Sequence, residues 1–218
     1  LMERLNLEGA NAAPRVMRPK HLGLDDLGES GADHLVDVRE PLAYAAGHMQ
    51  GAVCLPVGMI PAFAGWFISE GDTIALIASE EDELAQAMAH LVRIGLDNIV
   101  GGYVGVIPAA AQGKAMQSIA MIDTEEVARR LAEDSEDWTL LDVRALDERQ
   151  QGSIDESEHV YVGELNTRWK ELDRDRHYTL MCASGMRASV AAGWLASQGF
   201  KHLDVYLGSM GAWANAQG

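Results

Sequence analysis

The sequence is poor in cysteine and in clustered histidine, and each shortage excludes a class of site. Its two cysteines, Cys54 and Cys182, lie far apart in the chain. They form neither a metal-spaced pair nor a disulfide framework, so we expect a reducing, cytoplasmic setting. The seven histidines are scattered and make no H-x-H or H-E-x-x-H motif, so we expect no metal site and no cofactor.

Basic residues are also scarce. The chain has 17 Lys and Arg against 33 Asp and Glu, a net charge of -16. Nucleic acids are bound through basic patches, so this balance argues against a nucleic-acid partner. No apolar run approaches the roughly 20 residues that cross a bilayer, and the N-terminus lacks a basic-then-apolar signal pattern. We therefore expect a globular protein with no membrane partner.

What the chain does contain is an internal repeat. The tripeptide Asp37-Val38-Arg39 recurs at 142–144, and the strand-then-helix pattern of residues 73–96 recurs at 178–200. The repeat predicts two domains, residues 16–110 and 119–218, joined by a linker at 111–118. Residues 1–15 belong to neither copy and are predicted to be an N-terminal extension.

Each copy alternates short apolar runs with helical patterns. In the second copy, residues 137–143 and 178–181 read as buried strands. Residues 163–172 read as one helix, and residues 187–199 have the apolar spacing of another. Asp123 and Glu126 form a D-x-x-E capping box that predicts another helix start. This alternation predicts an α/β fold, with a central, mostly parallel sheet flanked by helices in each domain. Ligands of such sheets bind at the carboxyl ends of the strands.

Cys182 lies at such a strand end, directly before a predicted helix. Free backbone N–H groups at a helix start stabilise an anion, either a thiolate or a bound oxyanion. Arg187 adds positive charge, and Gly185 permits backbone angles that turn N–H groups inward. The alternative is a core thiol, which is the usual role of a lone buried cysteine. The C-x-x-G-x-R context favours a nucleophile at Cys182, whereas the apolar neighbours of Cys54 favour a structural role.

These residues resemble the rhodanese (sulfurtransferase) family. The matching pieces are the early "DVR", the turn and strand "GHMQGAVCLP", the loop "CASGMR" and the closing "YLGSMGAW". The resemblance covers about residues 16–110 and 119–218 as tandem copies. It implies two α/β rhodanese-like domains and a cysteine that carries sulfur as a persulfide.

The resemblance also implies a two-step sulfur transfer on Cys182. The donor is thiosulfate or a low-molecular-weight persulfide, and the acceptor is a thiol, cyanide or sulfite. The predicted substrate-binding residues are those of the loop: Ala183, Ser184, Gly185, Met186 and Arg187. Arg187 either attracts an anionic donor or braces the loop through an acidic partner. Related phosphatases and arsenate reductases have a C-x5-R loop, one residue longer, so the C-x4-R loop favours sulfur transfer.

The first copy has Ala78 in place of the cysteine, followed by acidic residues 80–83. We expect it to be inactive and to serve packing or docking. The second copy departs from the family pattern at turns, with Ser153, Glu156 and Ser209 in place of the usual histidine and glycines. His48 of the first copy is predicted to be a structural turn residue.

Two further predictions concern partners. A non-catalytic binding or regulatory module is the alternative to an enzyme. Residues 1–15 resemble the tail of metallo-β-lactamase-fold persulfide dioxygenases, some of which are fused to rhodanese domains. On that resemblance, a metal site would lie in an upstream domain or protein partner.

Overall fold

The chain is divided into two units after Gln117. The computed structural model describes residues 19–133 and 135–217, so the predicted N-terminal extension lies outside the described residues. The segment 111–118, predicted to be a linker, contains the end of a helix and a short strand, Met116–Gln117. That strand pairs antiparallel with His48–Met49 of the first unit.

The first unit alternates strands and helices. Its strands are β1 (His34–Asp37), β2 (His48–Met49), β3 (Val53–Cys54), β4 (Ile74–Ala78), β5 (Ile99–Val104) and β6 (Met116–Gln117). Its helices are α1 (Leu24–Glu29), α2 (Pro41–Ala46), α3 (Ile60–Phe67), α4 (Glu81–Arg93) and α5 (Val106–Ala111), with a 3-10 turn at Val57–Met59.

The second unit repeats this alternation. Its strands are β7 (Ala120–Ile122), β8 (Trp138–Asp142), β9 (Glu158–His159), β10 (His177–Met181) and β11 (Leu203–Tyr206). Its helices are α6 (Thr124–Glu133), α7 (Leu146–Gln150), α8 (Leu165–Arg168), α9 (Met186–Ser197) and α10 (Ser209–Gln217), with 3-10 turns at Val162–Glu164 and Trp169–Glu171.

The two main sheets have the same strand order. The first runs β5-β4-β1-β3. The second runs β11-β10-β8-β9 in the corresponding positions, with β7 as an additional strand beside β11. All neighbours in both are parallel. In the first unit, a parallel bridge from His21 to Gly102 takes the place of the β7 pairing. The α/β prediction is confirmed, and the duplication seen in the sequence is a duplication of topology.

The sequence missed some local detail. Residues 163–172 were expected to form one helix, but they form two 3-10 turns around the single α-turn of α8. The Asp123 carboxylate does accept the Glu126 N–H, at 3.0 Å. In a capping box the Glu126 carboxylate would in turn accept the Asp123 N–H. Here that carboxylate binds Arg129 and Arg130 instead. Side-chain competition of this kind depends on spatial neighbours that the local pattern does not contain.

The core of the second unit determines where the cysteine loop lies. The residues of α9 from Ala188 to Leu195 are all buried, and the helix packs against β10 and β11. Small side chains, mostly alanine, let it approach the sheet closely. Met181, the last residue of β10, lies in a buried cluster with Val127, Leu140, Ile154 and Tyr206. Strand and helix are thus both anchored where the chain passes from one to the other.

A buried ion pair lies at the end of β1 in the first unit and at the end of β8 in the second. In the second unit, Arg144 Nη2 binds Asp142 Oδ2 at 2.7 Å and donates to the Gly152 carbonyl at 2.9 Å. Asp142 is fully buried and Arg144 is 4% exposed. The first unit repeats the arrangement with Asp37, Arg39 and the Gly47 carbonyl. The "DVR" tripeptide therefore ties the strand end to the turn after the following helix.

Within the described part of the chain, no helix is long and apolar enough to cross a bilayer. Nor do His, Cys, Asp and Glu side chains gather there in groups of three or more that could hold a metal ion.

We predict that Asp142→Ala destabilises the second unit by about 3–5 kcal/mol, because it leaves the buried Arg144 charge without its carboxylate. Urea unfolding followed by tryptophan fluorescence is the measurement. Four of the five tryptophans lie in this unit: Trp138, Trp169, Trp194 and Trp213.

The matched control is Asp155→Ala, which removes an exposed aspartate from the same unit and should change stability by no more than about 0.5 kcal/mol. Equal effects of the two substitutions would show that the buried pair is not a special determinant of stability.

Candidate active site

Cys182 directly follows the central strand of the second sheet. It lies one residue after β10, between the parallel neighbours β8 and β11, and four residues before α9 begins. Its side chain is 1% exposed. The thiol is therefore at the carboxyl edge of the sheet, where the sequence predicted it, at the base of a short loop.

The loop turns one of its N–H groups onto the cysteine sulfur. Gly185 has φ +105°, a left-handed conformation that strains any residue with a side chain. Its N–H donates to Cys182 Sγ at 3.1 Å. Its carbonyl accepts the Ser189 hydroxyl at 2.9 Å, which anchors the turn to the first turn of α9. The sulfur thus lies at the start of a twelve-residue helix, where the helix dipole favours negative charge.

A second turn holds the backbone of the cysteine in place. The Cys182 N–H donates to Ser209 Oγ at 3.1 Å, and that hydroxyl donates to the Tyr206 carbonyl at 2.8 Å. The Met210 N–H binds the Cys182 carbonyl, and the Gly211 N–H binds the Ala183 carbonyl. In the sequence, Ser209 stands out only because the family pattern has a glycine at this position. Its contact with the cysteine joins residues far apart in the chain, so no local pattern indicated it.

Ser209 holds this position in an unfavourable conformation. It is fully buried and has φ +48°, which is uncommon for a residue other than glycine. The two hydrogen bonds of its hydroxyl offset part of that cost, since a buried hydroxyl without partners would be destabilising.

Arg187 is engaged by a carboxylate from a neighbouring helix. Its Nη1 binds Glu148 Oε2 at 2.6 Å and its Nη2 binds Glu148 Oε1 at 2.7 Å. These hydrogen bonds lower the pKa of Glu148 and raise the pKa of Arg187. Both groups are therefore charged at neutral pH. Of the two roles left open for Arg187, this geometry favours the brace.

Sequence reasoning missed Glu148. It lies in the first turn of α7, and its Oε2 also accepts the Ala145 N–H at 3.2 Å. An acidic residue in a first turn has an ordinary explanation, stabilisation of the helix start. Only the tertiary structure places this carboxylate opposite Arg187.

The other predicted loop residues differ in their exposure to solvent. Ala183, Ser184 and Met186 are exposed, whereas Gly185 is buried. Cys182 to Gly185 connect β10 to α9, and Met186 and Arg187 are the first two residues of that helix. Their assignment to substrate binding stays a prediction.

In the corresponding loop of the first unit, a carboxylate of the protein accepts a backbone N–H group. Ala78 ends β4 and is fully buried. Glu83 stands five positions after Ala78, as Arg187 does after Cys182, and its carboxylate accepts the Ser79 N–H at 2.6 Å. The charge at this position is thus reversed, and a carboxylate already binds one of the loop's N–H groups. Residues 78–83 of this loop, all of which the structure describes, contain neither a cysteine nor a basic residue.

Cys54 and His48 have the surroundings of structural residues. Cys54 is fully buried, and burial raises the pKa of its thiol well above the usual range. The His48 ring stacks on Tyr44 with centroids 3.8 Å apart, and its Nδ1–H donates to the Tyr44 carbonyl at 2.9 Å. Burial lowers the pKa of His48, so the ring is neutral at physiological pH.

Comparison with known proteins gives matches for both units. The family model described as a rhodanese-like domain matches residues 23–108 and 123–216. A provisionally named sulfurtransferase of Bacillus subtilis, YtwF, is 35% identical over 95 residues, which are 44% of this chain and 90% of the relative. A sulfurtransferase of Allochromatium vinosum is 34% identical over 93 residues, 43% of this chain and 86% of the relative.

Among solved structures, a rhodanese-related protein from Thermoplasma volcanium is 29% identical, with a TM-score of 0.40, and the match covers 44% of this chain and 91% of that one. The two family matches together span most of the sequence and coincide with the two sheets of the same strand order. The chain belongs to the rhodanese-like domain family, of which it contains two copies in tandem.

Proposed function

We propose that this chain is a sulfurtransferase that carries sulfane sulfur as a persulfide on Cys182. The observation that supports this most directly is the Gly185 N–H aimed at Cys182 Sγ. A backbone donor at a helix start favours the thiolate, which is the nucleophilic form of cysteine. The sulfurtransferase names of the relatives from two bacteria support the same reaction class.

The reaction has two half-reactions. The Cys182 thiolate attacks the outer sulfur of a persulfide R–S–SH, whose S–S bond breaks so that R–S⁻ leaves with the electron pair. With thiosulfate, the leaving group is sulfite. An acceptor thiolate, cyanide or sulfite then attacks the outer sulfur of the Cys182 persulfide. The second S–S bond breaks, and the Cys182 thiolate is restored.

The surrounding residues act through position. The loop N–H groups stabilise charge on the cysteine and on its persulfide. The Ser209 hydroxyl accepts the Cys182 N–H. This hydrogen bond holds the end of the strand in one conformation while the loop binds the sulfur. The Glu148–Arg187 pair connects the start of α9 to α7.

For the first unit we propose a non-catalytic role in packing or docking, on the basis of Ala78 and of the Glu83 carboxylate in its loop. The upstream metallo-β-lactamase-fold partner stays a prediction, because no described residue bears on it.

We predict that wild-type protein exposed to a sulfane-sulfur donor gains the mass of one sulfur atom, whereas Cys182→Ser gains none. Intact-mass spectrometry after removal of excess donor is the measurement. Cys54→Ser is the matched control and should load normally. The Cys54 thiol is buried and its pKa is raised, so it is not expected to carry sulfur. Loading of Cys182→Ser would rule out Cys182 as the carrier.

We predict that Gly185→Ala slows sulfur loading about tenfold or more. A Cβ at φ +105° costs about 1–3 kcal/mol of strain, and relief of that strain rotates the N–H away from Sγ. A change of 1.36 kcal/mol in the barrier is a tenfold change in rate.

Gly199→Ala is the control for this variant, since Gly199 also has positive φ (+92°) and follows the other end of α9. It should cost similar stability and leave the loading rate within about twofold. An equal fall in the loading rate of both variants would mean that backbone strain alone slows the reaction, and that the hydrogen bond from the Gly185 N–H to the sulfur does not contribute.

We predict that Ala78→Cys, made in a Cys182→Ser background, acquires no sulfur. The Ser79 N–H already binds the Glu83 carboxylate, whose negative charge disfavours a thiolate beside it. Peptide-level mass spectrometry localises any added sulfur. Loading of the introduced thiol would show that the first unit lacks only the nucleophile.

A further inference from the structure

The positive charge of the cysteine loop is neutralised within the protein. Arg187 is the only basic residue of the loop, and both of its terminal nitrogens donate to the Glu148 carboxylate. The Arg187 and Glu148 side chains are 20% and 33% exposed. The pair thus lies partly open beside the sulfur with no net charge, which weakens its attraction for an incoming anion.

The neighbouring arginines are directed into the protein. Arg144 is buried against Asp142, and Arg149 donates to the Ser157 carbonyl at 2.5 Å while its Nη1 lies 3.6 Å from Asp142. The first turn of α7 instead carries two acidic residues, Asp147 and Glu148. Charge on this side of the loop is therefore neutral to negative.

The segments that border the loop carry exposed apolar side chains. Three large hydrophobic side chains are exposed among the described residues of the second unit: Leu146 (59%), Met186 (37%) and Leu207 (49%). They come from three segments that meet at the loop. Leu146 lies two residues before Glu148, Met186 precedes Arg187, and a Cβ on Gly185 would lie 3.9 Å from the Leu207 Cα. Exposed apolar side chains on three segments that border the same loop offer contact area to an apolar group.

We propose that Cys182 takes its sulfur from an organic persulfide and that Glu148 discriminates against inorganic thiosulfate. This inference rests on the sulfurtransferase function proposed above. Thiosulfate is a dianion with no carbon group, so it meets a neutralised arginine and gains nothing from the apolar rim. The carbon group of an organic persulfide packs on that rim, and the Cys182 thiolate takes the outer sulfur and releases R–S⁻.

The test compares two donors. One is thiosulfate and the other is the persulfide of N-acetylcysteine methyl ester, whose carbon skeleton carries no charge. The measured quantity is the ratio of the loading rate constants, thiosulfate over persulfide, obtained by quenching and intact-mass spectrometry and normalised to the same ratio for a free small thiol. The ratio cancels any loss of loop support that slows both donors alike.

Glu148→Gln should raise this ratio about tenfold, because it frees the positive charge of Arg187 for a dianion at short range. Leu146→Ser should also raise it, by slowing the persulfide about threefold through lost apolar contact. The matched control is Glu164→Gln, which removes an exposed carboxylate that binds Arg168 on α8, and it should leave the ratio within twofold.

A second measurement needs no variant. Raising ionic strength screens exposed charges, so thiosulfate loading of the wild type should stay constant or become faster. A clear slowing by salt, or an unchanged ratio in a folded Glu148→Gln variant, would overturn the discrimination while the sulfurtransferase function stands. Failure of both donors to load Cys182 would instead overturn the function itself.

Discussion

The buried Asp–Arg pair at the end of β8, the strand beside the one that leads to Cys182, is the interaction on which the site depends. In the second unit it joins Asp142 of β8 to the Gly152 carbonyl through Arg144. That link fixes α7 beside the strand edge, and α7 carries Glu148 to Arg187. A charge pair removed from water must keep close geometry to offset its desolvation, so it leaves the helix little freedom. The same pair recurs in the first unit, where it supports a loop without a cysteine.

The two copies show how one fold serves a reactive and an unreactive loop. In the second, a glycine in a left-handed conformation aims its N–H at sulfur. In the first, the Glu83 carboxylate accepts a loop N–H directly. Both arrangements satisfy the same physical demand, since N–H groups at a helix start need an acceptor. The acceptor is a side chain of the protein in one unit and the nucleophile in the other.

Much of the fold could be predicted because its signals are local. The apolar runs at 137–143 and 178–181 became β8 and β10, and the helix expected at 187–199 is α9. The shorter elements were harder. Residues 163–172 broke into 3-10 turns, and α10, with its strained Ser209, was not predicted. Short segments have weak patterns, and their conformation is decided by the neighbours that they pack against.

The sequence by itself determined the duplication, the α/β class and the place of Cys182 between a buried strand and a helix. Periodicity and spacing encode these features directly. Only the tertiary structure decided the electrostatics of the loop. The Arg187–Glu148 pair and the Ser209 contact join residues separated by 39 and 27 positions, and such pairs form where the sheet and its helices bring distant segments together. The cysteine could be found from the chain, but the charge and the contacts that surround it come from the fold.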